Sequence, residues 1–317
     1  MSESTKVVFL DAATLPQRLR FDERIAYAAH DATADERVAE RIAEASVVVT
    51  NKVRLTAEHL RQAPKLRLVC VAAAGTDNVD LQAAAQCGID VRNVPDYGSE
   101  SVAEHVIATL LALRRALGTY AQAAIDGRWS SANQFCWLGP TIRDVGGTVL
   151  GIVGRGRIGE TTARLARGLG MSVLFARTPG RPCGDDEREL DELVRAVDAL
   201  TLHVPLTPQT RDLMGEERLS AMKPTAVLVN TGRGALVDPQ ALANALRTRR
   251  IAGAAIDVLE VEPPPSSHPL LARDIPNLLL TPHVAWASEG AQCRLAERIV
   301  EIVEGHLSHN GDIECVA

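Results

Sequence analysis

Three side chains that could perform acid–base chemistry follow the ends of predicted strands in the second half of the chain. They are Arg233 between Gly232 and Gly234, Glu262 shortly after Asp257, and His283 after Pro282. The carboxyl ends of parallel strands meet at one edge of a sheet, so these groups could converge there. Taken singly, each fits a solvated turn or loop residue about as well. Together, each one strand after the last, they favour a site where a guanidinium binds an anion and an imidazole moves a proton.

A glycine-rich turn upstream predicts a dinucleotide site. The apolar run 148–153 is followed by Gly154-x-Gly156-x-x-Gly159 and then by a helical pattern over 160–169. Gly154 would form the tight turn, Gly156 would let the backbone approach a pyrophosphate, and Gly159 would let the helix pack on the strand. Glycines also punctuate ordinary strand–helix turns, so this interpretation depends on the strand before and the helix after.

The spacing of apolar runs predicts the elements that must position these residues. From residue 148 onward, runs recur about every 25 residues, which predicts a six-stranded doubly wound parallel sheet. The six runs are 148–153, 172–175, 199–203, 226–230, 254–258 and 278–281. Earlier in the chain, apolar runs at 7–10, 47–50, 68–71 and 89–91 alternate with helical patterns at 22–29, 36–45, 57–62 and 81–86. They predict a first α/β domain with its own parallel sheet.

These patterns assign residues 1–100 and 290–317 to the first domain and 101–289 to the dinucleotide-binding domain. The amphipathic pattern 293–307 is expected to form a helix that returns to the first domain. A helix predicted from Ser99 or Ser101 to about Leu117 is apolar on nearly every side, which predicts burial by something besides its own domain, such as a second subunit. The segment 124–144, with two tryptophans and Phe135, is predicted to be a loop or arm.

The composition argues against several kinds of partner. The chain has 317 residues and a formal net charge of −6, which gives no reason to expect nucleic acid or an anionic membrane as a partner. It has no run of about 18 apolar residues and no signal-peptide pattern at its start. Its six cysteines show neither C-x-x-C nor Cys/His ligand spacing, so we expect no metal site, and reduced thiols of a cytoplasmic protein.

Several short motifs occur in an order that is more specific than any one of them. They are Thr50-Asn51-Lys52-Val53, Ala73-Ala74-Gly75-Thr76-Asp77-Asn78-Val79-Asp80, Ser101-Val102-Ala103-Glu104-His105, the glycine turn, His203-Val204-Pro205-Leu206-Thr207, Asn230-Thr231-Gly232-Arg233-Gly234, the stretch from Asp257 to Pro263, and Thr281-Pro282-His283. In this order they resemble the D-isomer-specific 2-hydroxyacid dehydrogenase family over nearly the whole chain. The resemblance is greatest to its glycerate dehydrogenase and hydroxypyruvate (glyoxylate) reductase branch.

The resemblance implies an architecture and a reaction. It implies a Rossmann fold for the dinucleotide-binding domain, inserted into a flavodoxin-like substrate-binding domain that the C-terminal helix completes. The helix and arm after residue 101 are implied to form a homodimer interface. The implied reaction is the reduction of a small 2-keto acid, such as hydroxypyruvate or glyoxylate, to the D-2-hydroxy acid by hydride transfer from a nicotinamide cofactor.

The resemblance also implies roles for single residues, with Arg233, Glu262 and His283 as the catalytic triad. Glu262 would hold His283 and favour its protonated form, which could donate to the substrate C2 oxygen; in oxidation, neutral His283 would act as the base. Arg233 would bridge the substrate carboxylate and the C2 oxygen. Trp286 either walls the pocket or only packs at a domain edge. The expected substrate-binding residues are Asn51, Ala74, Gly75, Arg233, His283 and Trp286.

The choice of cofactor is where the chain departs from the family pattern. Arg177 stands where NAD-dependent members usually place an acid that binds the ribose 2′-hydroxyl. Arg177 and Arg181 could pair with a 2′-phosphate, and Thr178 could add a hydrogen bond. We therefore expect a preference for NADP(H), with NAD(H) possible if Arg177 only faces solvent. The expected cofactor-binding residues are Gly154, Gly156, Arg157, Ile158, Gly159, Arg177, Thr178, Arg181, His203, Val204, Pro205, Thr231, Gly232, Arg233, Asp257, His283 and Ala285.

Two alternatives stay open at this point. A relative with the same fold could act on another donor, such as phosphite or a bulkier D-hydroxy acid. The scaffold also occurs in dinucleotide-sensing corepressors, which can keep the triad, although this chain lacks the long tails and basic segments expected of a nuclear regulator. Turnover of hydroxypyruvate or glyoxylate would favour the enzyme, and tight cofactor binding without turnover would favour the sensor.

Overall fold

The computed structural model describes residues 5–178, 180 and 184–309, and the chain forms two compact units. The first unit consists of the chain up to Gly98 together with the chain from Ala287 onward. The second unit runs from Ser99 to Trp286. Each unit contains one sheet in which every strand pair is parallel. The α/β class with two parallel-sheet domains, predicted from the alternating runs, is confirmed.

The first unit has a five-stranded sheet in the order β2-β1-β3-β4-β5. Its strands are β1 (Lys6–Phe9), β2 (Ala26–Ala29), β3 (Val47–Thr50), β4 (Leu68–Val71) and β5 (Asp90–Asn93). Its helices are α1 (Asp35–Ile42), α2 (Ala57–Arg61), α3 (Leu81–Gln86) and the C-terminal helix Glu289–His309. The central strands β3 and β4 are buried along their whole length, and the C-terminal helix contacts β4.

The helix predicted over residues 22–29 is wrong. Residues Ala26–Ala29 form the edge strand β2, which pairs with β1 from Lys6 to Phe9. The alanines of this segment favour a helix by intrinsic propensity, but the hydrogen bonds to β1 outweigh that small preference. Asp22 contributes to the difference, because its carboxylate accepts the backbone N–H of Arg24 and closes a local turn before the strand.

The second unit has a seven-stranded sheet in the order β12-β11-β10-β9-β6-β7-β8. Its strands are β6 (Val149–Val153), β7 (Ser172–Ala176), β8 (Glu187–Arg188), β9 (Ala199–Leu202), β10 (Val227–Asn230), β11 (Gly253–Ile256) and β12 (Leu278–Leu280). Its helices are α4 (Ser99–Arg114), α5 (Leu117–Ile125), α6 (Arg157–Gly168), α7 (Leu190–Ala196), α8 (Glu216–Ala221) and α9 (Pro239–Arg247).

The prediction of six strands in this sheet is one strand short. All six predicted strands are present, and the additional strand β8 consists of only Glu187 and Arg188 at the edge beside β7. Two charged residues give no apolar run, so the hydrophobic pattern could not indicate a strand there.

Helix α4 is buried by its own unit, contrary to the expectation that it needs another partner. It contacts α6, β10 and β11, and Val106, Leu110 and Leu113 lie in the core cluster beneath the sheet. The helix also ends at Arg114, earlier than expected, because Ala116 adopts a left-handed backbone with φ of 50° before α5 begins. The apolar character of α4 therefore does not by itself require a second subunit.

The arm, residues 126–148, contains neither helix nor strand. Its C-terminal end is fixed by Arg114, whose buried guanidinium donates to the carbonyl of Asp144 at 2.7 Å. Its middle is held by Tyr120, whose hydroxyl donates to the carbonyl of Pro140 at 2.8 Å. The largest exposed apolar side chains nearby are Phe135 at 92%, Ile125 at 80% and Leu138 at 76%. The arm therefore presents an apolar surface on a fixed base.

Two kinds of feature are absent from the part of the chain that the structure describes. No helix there is long and apolar enough to cross a membrane. Residues 5–178, 180 and 184–309 also contain no group of three or more His, Cys, Asp or Glu side chains arranged to hold a metal ion.

Candidate active site

The predicted triad follows three neighbouring strands. Strands β10, β11 and β12 are adjacent and parallel, with Asn230 paired to Ile256 and Ile256 paired to Leu280 at their carboxyl ends. Arg233 and His283 each lie three residues beyond a strand end, and Glu262 lies in the longer loop after β11. Sheet order and register therefore direct the three connecting segments to one edge of the second unit.

Glu262 and His283 form a close hydrogen-bonded pair. Oε2 of Glu262 lies 2.5 Å from Nδ1 of His283, and Oε1 accepts the backbone N–H of Leu259 at 2.8 Å. The two side chains are about one-third exposed, at 32% and 28%. Among the described residues, Nε2 of His283 has no hydrogen-bond partner, so this nitrogen can meet a substrate. An imidazole fixed by a carboxylate through Nδ1 is suited to proton transfer at Nε2.

The backbone of His283 is held in an uncommon conformation. Its φ is 55°, in the left-handed region that costs a non-glycine residue roughly 1–3 kcal/mol. Three contacts maintain it: the N–H donates to the carbonyl of Asp257 at 2.8 Å and to that of Thr281 at 3.0 Å, and the carbonyl accepts the indole N–H of Trp286 at 3.0 Å. Trp286 therefore supports His283 directly, a role that its type and position did not indicate.

Asp257 organises the loop after β12. Its side chain is 1% exposed, and its carboxylate accepts the hydroxyl of Thr281 at 2.5 Å and the N–H groups of Val284 and Ala285, each at 2.9 Å. Nε2 of His105, on α4, lies 3.3 Å from the Thr281 hydroxyl and 4.0 Å from Asp257. No role was assigned to Thr281 or His105 from the sequence, although Thr281 belongs to the motif of His283 and His105 to the motif that begins at Ser101.

The turn that carries Arg233 is closed by Asn230. The Asn230 amide donates to the carbonyl of Arg233 at 2.9 Å and accepts the N–H of Gly232 at 3.1 Å. Gly234 lies so close to the loop after β11 that an added Cβ would stand 2.0 Å from the carbonyl carbon of Leu259. The segment with Arg233 therefore lies directly against the segment whose N–H holds Glu262.

The glycine turn has the shape that a dinucleotide requires. A Cβ on Gly154 would lie 2.4 Å from the carbonyl oxygen of His203, and one on Gly159 would lie 2.1 Å from the carbonyl oxygen of Gly154. Gly154 also has a φ of 110°, which L side chains rarely adopt. In contrast, a Cβ on Gly156 would meet nothing within 4 Å. Gly156 caps α6, so an open space adjoins the helix N-terminus formed by Arg157, Ile158 and Gly159.

Two further residues of the predicted cofactor site are distinctive. The buried hydroxyl of Thr231 has no hydrogen-bond partner within the described residues, so an acceptor or donor is missing beside it. Burial lowers the pKa of His203 to about 4, and its Nε2 lies 3.1 Å from the hydroxyl of Thr201. His203 is therefore neutral at physiological pH and unsuited to acid–base catalysis there. An orphaned polar atom and an open helix N-terminus both fit a bound dinucleotide.

The end of β7 carries the residues expected to select the cofactor. Nη1 of Arg177 lies 2.5 Å from Oε1 of Glu189, with side chains 40% and 60% exposed. Thr178 is half-buried beside it, and Arg181 lies outside the described residues. A second cation near the end of β7, Arg155, was not identified from the sequence. Its guanidinium lies 4.4 Å from the centroid of the Phe175 ring and 2.9 Å from the carboxylate of Asp186. The hydrogen bond to Asp186 raises the pKa of Arg155.

Three expected substrate residues lie in the first unit. The loop that begins at Asn51 is held by the buried carboxylate of Asp11, which accepts the N–H groups of Asn51 at 2.9 Å and Lys52 at 2.6 Å. After β4, the carbonyl of Ala74 accepts the Asn93 amide at 2.5 Å. Among the described residues, the N–H groups of Ala74 and Gly75 donate to no acceptor. They can therefore accept an anion.

Comparison with known proteins places these features in a family. A sequence model described as "D-isomer specific 2-hydroxyacid dehydrogenase, NAD binding domain" matches residues 107–285. A glycerate dehydrogenase of Methylorubrum extorquens is 42% identical over 306 residues, 96% of each chain.

Solved structures of reductases and dehydrogenases are also similar to this chain. An NADPH-dependent glyoxylate/hydroxypyruvate reductase of Sinorhizobium meliloti, in complex with NADP and malonate, matches with a TM-score of 0.81 and 29% identity, covering 96% of this chain and 94% of that one. A D-lactate dehydrogenase of Aquifex aeolicus, in complex with NAD and lactic acid, matches with a TM-score of 0.80 and 27% identity over 96% of each chain.

Proposed function

Because the chain belongs to the D-isomer specific 2-hydroxyacid dehydrogenase family and is an NAD(P)-binding oxidoreductase, we propose that it reduces a small 2-keto acid to the D-2-hydroxy acid. The observation that carries this proposal is the pair formed by Glu262 and His283, with Nε2 of the imidazole open to a substrate. Hydroxypyruvate and glyoxylate are the proposed substrates, since glycerate dehydrogenases and glyoxylate reductases are among the similar proteins.

The chain's own residues perform the binding and the proton transfer. When bound, the nicotinamide supplies the hydride. Protonated His283 donates a proton through Nε2 to the C2 oxygen as the hydroxy acid forms, and neutral His283 removes that proton in the reverse direction. Glu262 keeps the ring oriented through Nδ1 and stabilises its positive charge. Arg233 binds the substrate carboxylate and the C2 oxygen, because its planar guanidinium offers several donors at once.

The proposed anion contacts of the first unit are the N–H groups of Ala74 and Gly75, together with Asn51. The loop of Asn51 is suited to this role because the Asp11 carboxylate fixes its backbone. Two adjacent N–H groups that donate to no described acceptor support the proposal for Ala74 and Gly75. Trp286 is proposed to wall the substrate pocket as well as to hold the carbonyl of His283.

We propose NADP(H) as the preferred cofactor, with NAD(H) accepted less well. The support is chemical: Arg177 follows β7 in place of the acid that would bind a ribose 2′-hydroxyl, and Thr178 lies beside it. A guanidinium suits a phosphate and would leave a 2′-hydroxyl without its usual acceptor. Glu189 opposes this preference, since it already pairs with Arg177. The similar structures contain NADP in one case and NAD in another, which leaves the choice to experiment.

A matrix of substrates and cofactors tests the proposal. Hydroxypyruvate, glyoxylate and a bulkier 2-keto acid are assayed with NADPH and NADH. In the reverse direction, D-lactate and phosphite are assayed with NADP⁺ and NAD⁺. We expect the highest kcat/KM for hydroxypyruvate or glyoxylate with NADPH. The substitution His283→Ala should lower kcat about 10²–10⁴-fold, the usual contribution of general acid–base catalysis. A near wild-type kcat for this variant would refute the role of His283, and a clear NADH preference would refute the choice of cofactor.

The proposed assembly is a homodimer formed through the arm. Phe135 and Leu138 expose large apolar surfaces on a segment whose base is fixed by Arg114. Large apolar side chains this exposed, three residues apart on one segment, are what a protein interface would cover. A second copy of the chain is the proposed partner, in contact along residues 126–148. The four described free cysteines (Cys70, Cys87, Cys136, Cys293) support a reducing compartment, for which we propose the cytoplasm.

A further inference from the structure

The loop that carries Glu262 needs a fixed point, because most of it is exposed. Val261 is 57% exposed, and the Glu262 side chain is 32% exposed. Residues 257–268 contain neither helix nor strand. An exposed loop of this kind is mobile unless buried contacts hold it. However, Glu262 must stay within hydrogen-bond distance of His283, as it does at 2.5 Å, to orient the ring.

A second histidine–glutamate pair lies at the base of this loop. Nε2 of His268 is 3.2 Å from Oε2 of Glu260, and the His268 side chain is only 3% exposed. Nδ1 of His268 accepts the backbone N–H of Leu270 at 3.2 Å. A nitrogen that accepts an N–H carries no proton, so the proton of the neutral ring is on Nε2 and is donated to Glu260. The pair therefore joins a carboxylate of the exposed loop to a buried group.

The opposite side of the loop is fixed by Gly234. A Cβ on Gly234 would lie 2.0 Å from the carbonyl carbon of Leu259 and 2.3 Å from the nitrogen of Glu260. The Leu259–Glu260 peptide is thus held between the turn of Arg233 and the bond from Glu260 to His268. The N–H of Leu259, which donates to Oε1 of Glu262, comes directly before the Leu259–Glu260 peptide in the chain.

We propose that His268 is a positioning residue that acts through Glu260 to hold Glu262 against His283. This inference depends on the proposed function in one respect, namely that Glu262 and His283 are catalytic. Loss of the bond from His268 would let the loop retreat, lengthen the Glu262–His283 contact and disfavour the protonated imidazole. A displacement of about 1 Å at a reacting group can cost on the order of 100-fold in rate.

The competing explanation is that His268 only caps the short helix Pro269–Leu271 through its bond to the Leu270 N–H. Two substitutions separate the explanations. His268→Asn keeps an acceptor near the position of Nδ1 but is too short to reach Glu260. His268→Gln keeps a donor near the position of Nε2 but not the acceptor for Leu270. The control is His59→Asn, the same change at another buried histidine whose Nδ1 accepts a backbone N–H, that of Thr56 in the first unit.

The test measures kcat and kcat/KM for 2-keto acid reduction against pH, together with Tm. We expect His268→Asn to lower kcat about 10- to 100-fold and to move the alkaline limb of the profile to lower pH, since reduction needs protonated His283. His268→Gln should retain most of the wild-type kcat, and the alkaline limb of its profile should stay at the wild-type pH. His59→Asn should lower Tm without moving the limb.

Several outcomes would overturn the proposal. One is a kcat and an alkaline limb in His268→Asn that equal those of the wild type. Another is a loss of kcat in His268→Gln equal to that in His268→Asn, which would assign the effect to the bond between His268 and the Leu270 N–H. If His268→Asn does not fold, Glu260→Ala replaces it, because alanine has no acceptor for the N–H of His268, and it should move the alkaline limb in the same direction. If the unchanged protein reduces no 2-keto acid, the proposed function fails, but the positioning role is still decided by NMR. The Nδ1–H proton of His283, which resonates far downfield while it is bonded to Glu262, should then shift upfield in His268→Asn, and an unchanged resonance would refute the role.

Discussion

The open space at Gly156 allows a substitution that separates cofactor binding from folding. A Cβ at this position meets nothing within 4 Å, and its φ of −99° and ψ of −171° suit any residue. Gly156→Ala should therefore leave the fold intact, because the gain of about 0.4–1 kcal/mol from restricting the unfolded chain is opposed by the poorer capping of α6 by alanine. However, the methyl group would stand at the N-terminus of α6, where phosphates bind to N–H groups.

The expected loss of affinity follows from the hydrogen bonds that the methyl group would displace. One charge-assisted hydrogen bond contributes about 1.5–3 kcal/mol, which corresponds to a Kd about 10- to 150-fold weaker. Gly159→Ala is the matched control in the same helix. Its Cβ would lie 2.1 Å from the carbonyl oxygen of Gly154, and overpacking of this kind costs about 1–3 kcal/mol. A domain of this size should lose about 2–4 °C of Tm per kcal/mol.

The assay combines thermal unfolding without cofactor and calorimetric titration with NADPH. Gly156→Ala should unfold near the wild-type Tm and bind NADPH more weakly, while Gly159→Ala should unfold at a lower temperature. Gly168→Ala, at the last residue of α6 and also with nothing within 4 Å, should leave the affinity unchanged and raise Tm slightly, because alanine restricts the unfolded chain there. Wild-type NADPH affinity in Gly156→Ala would show that the pyrophosphate does not approach this residue.

Three further predictions concern the cofactor, pH and assembly. Glu189→Gln removes the carboxylate that competes for Arg177, so the ratio of kcat/KM for NADPH over NADH should rise by up to about fivefold, the worth of an exposed ion pair; an unchanged ratio would place Arg177 away from the 2′-phosphate. Because the pKa of His203 is depressed to about 4, the unfolded chain binds a proton that the folded chain does not between about pH 6.5 and 4, and stability is lost as pH falls through this window. Urea unfolding at several pH values should therefore show a loss on the order of 3 kcal/mol that His203→Gln lacks, and equal slopes in both proteins would contradict it. The double substitution Phe135→Asp and Leu138→Asp should convert a dimer to a monomer in light scattering, whereas an unchanged mass would exclude the arm as the interface.

The hydrophobic pattern predicted the central strands well because they are buried along their whole length. Strands β3, β4, β9, β10 and β11 show no exposed residue, so each appears as a continuous apolar run. The pattern failed at the edges, where burial is incomplete: β2 was predicted to be a helix and β8 was not predicted. It also misjudged α4, because an apolar sequence indicates burial but not what buries it.

Within the candidate site, the sequence predicted the residues that follow strand ends but not the contacts between distant segments. The positions of Arg233 and His283 follow from sheet order alone. The His268–Glu260 pair, the packing of Gly234 on Leu259 and the Trp286 bond to His283 each depend on how a loop folds back. No local periodicity encodes such a loop, and none of these residues stands at a spacing that indicates a bond.

The segment after β11 connects the sheet to both members of the acid–base pair. Asp257 continues β11 and holds the His283 loop through its carbonyl and its carboxylate, while Leu259, two residues later, holds Glu262 through its N–H. The pairing of Ile256 with Leu280 places Asp257 beside Thr281, so the register of β11 and β12 brings together the starts of the two segments that carry Glu262 and His283. A slip of one residue would turn each side chain to the opposite face. A substitution that loosens this strand pair should therefore lower activity before it lowers the content of secondary structure.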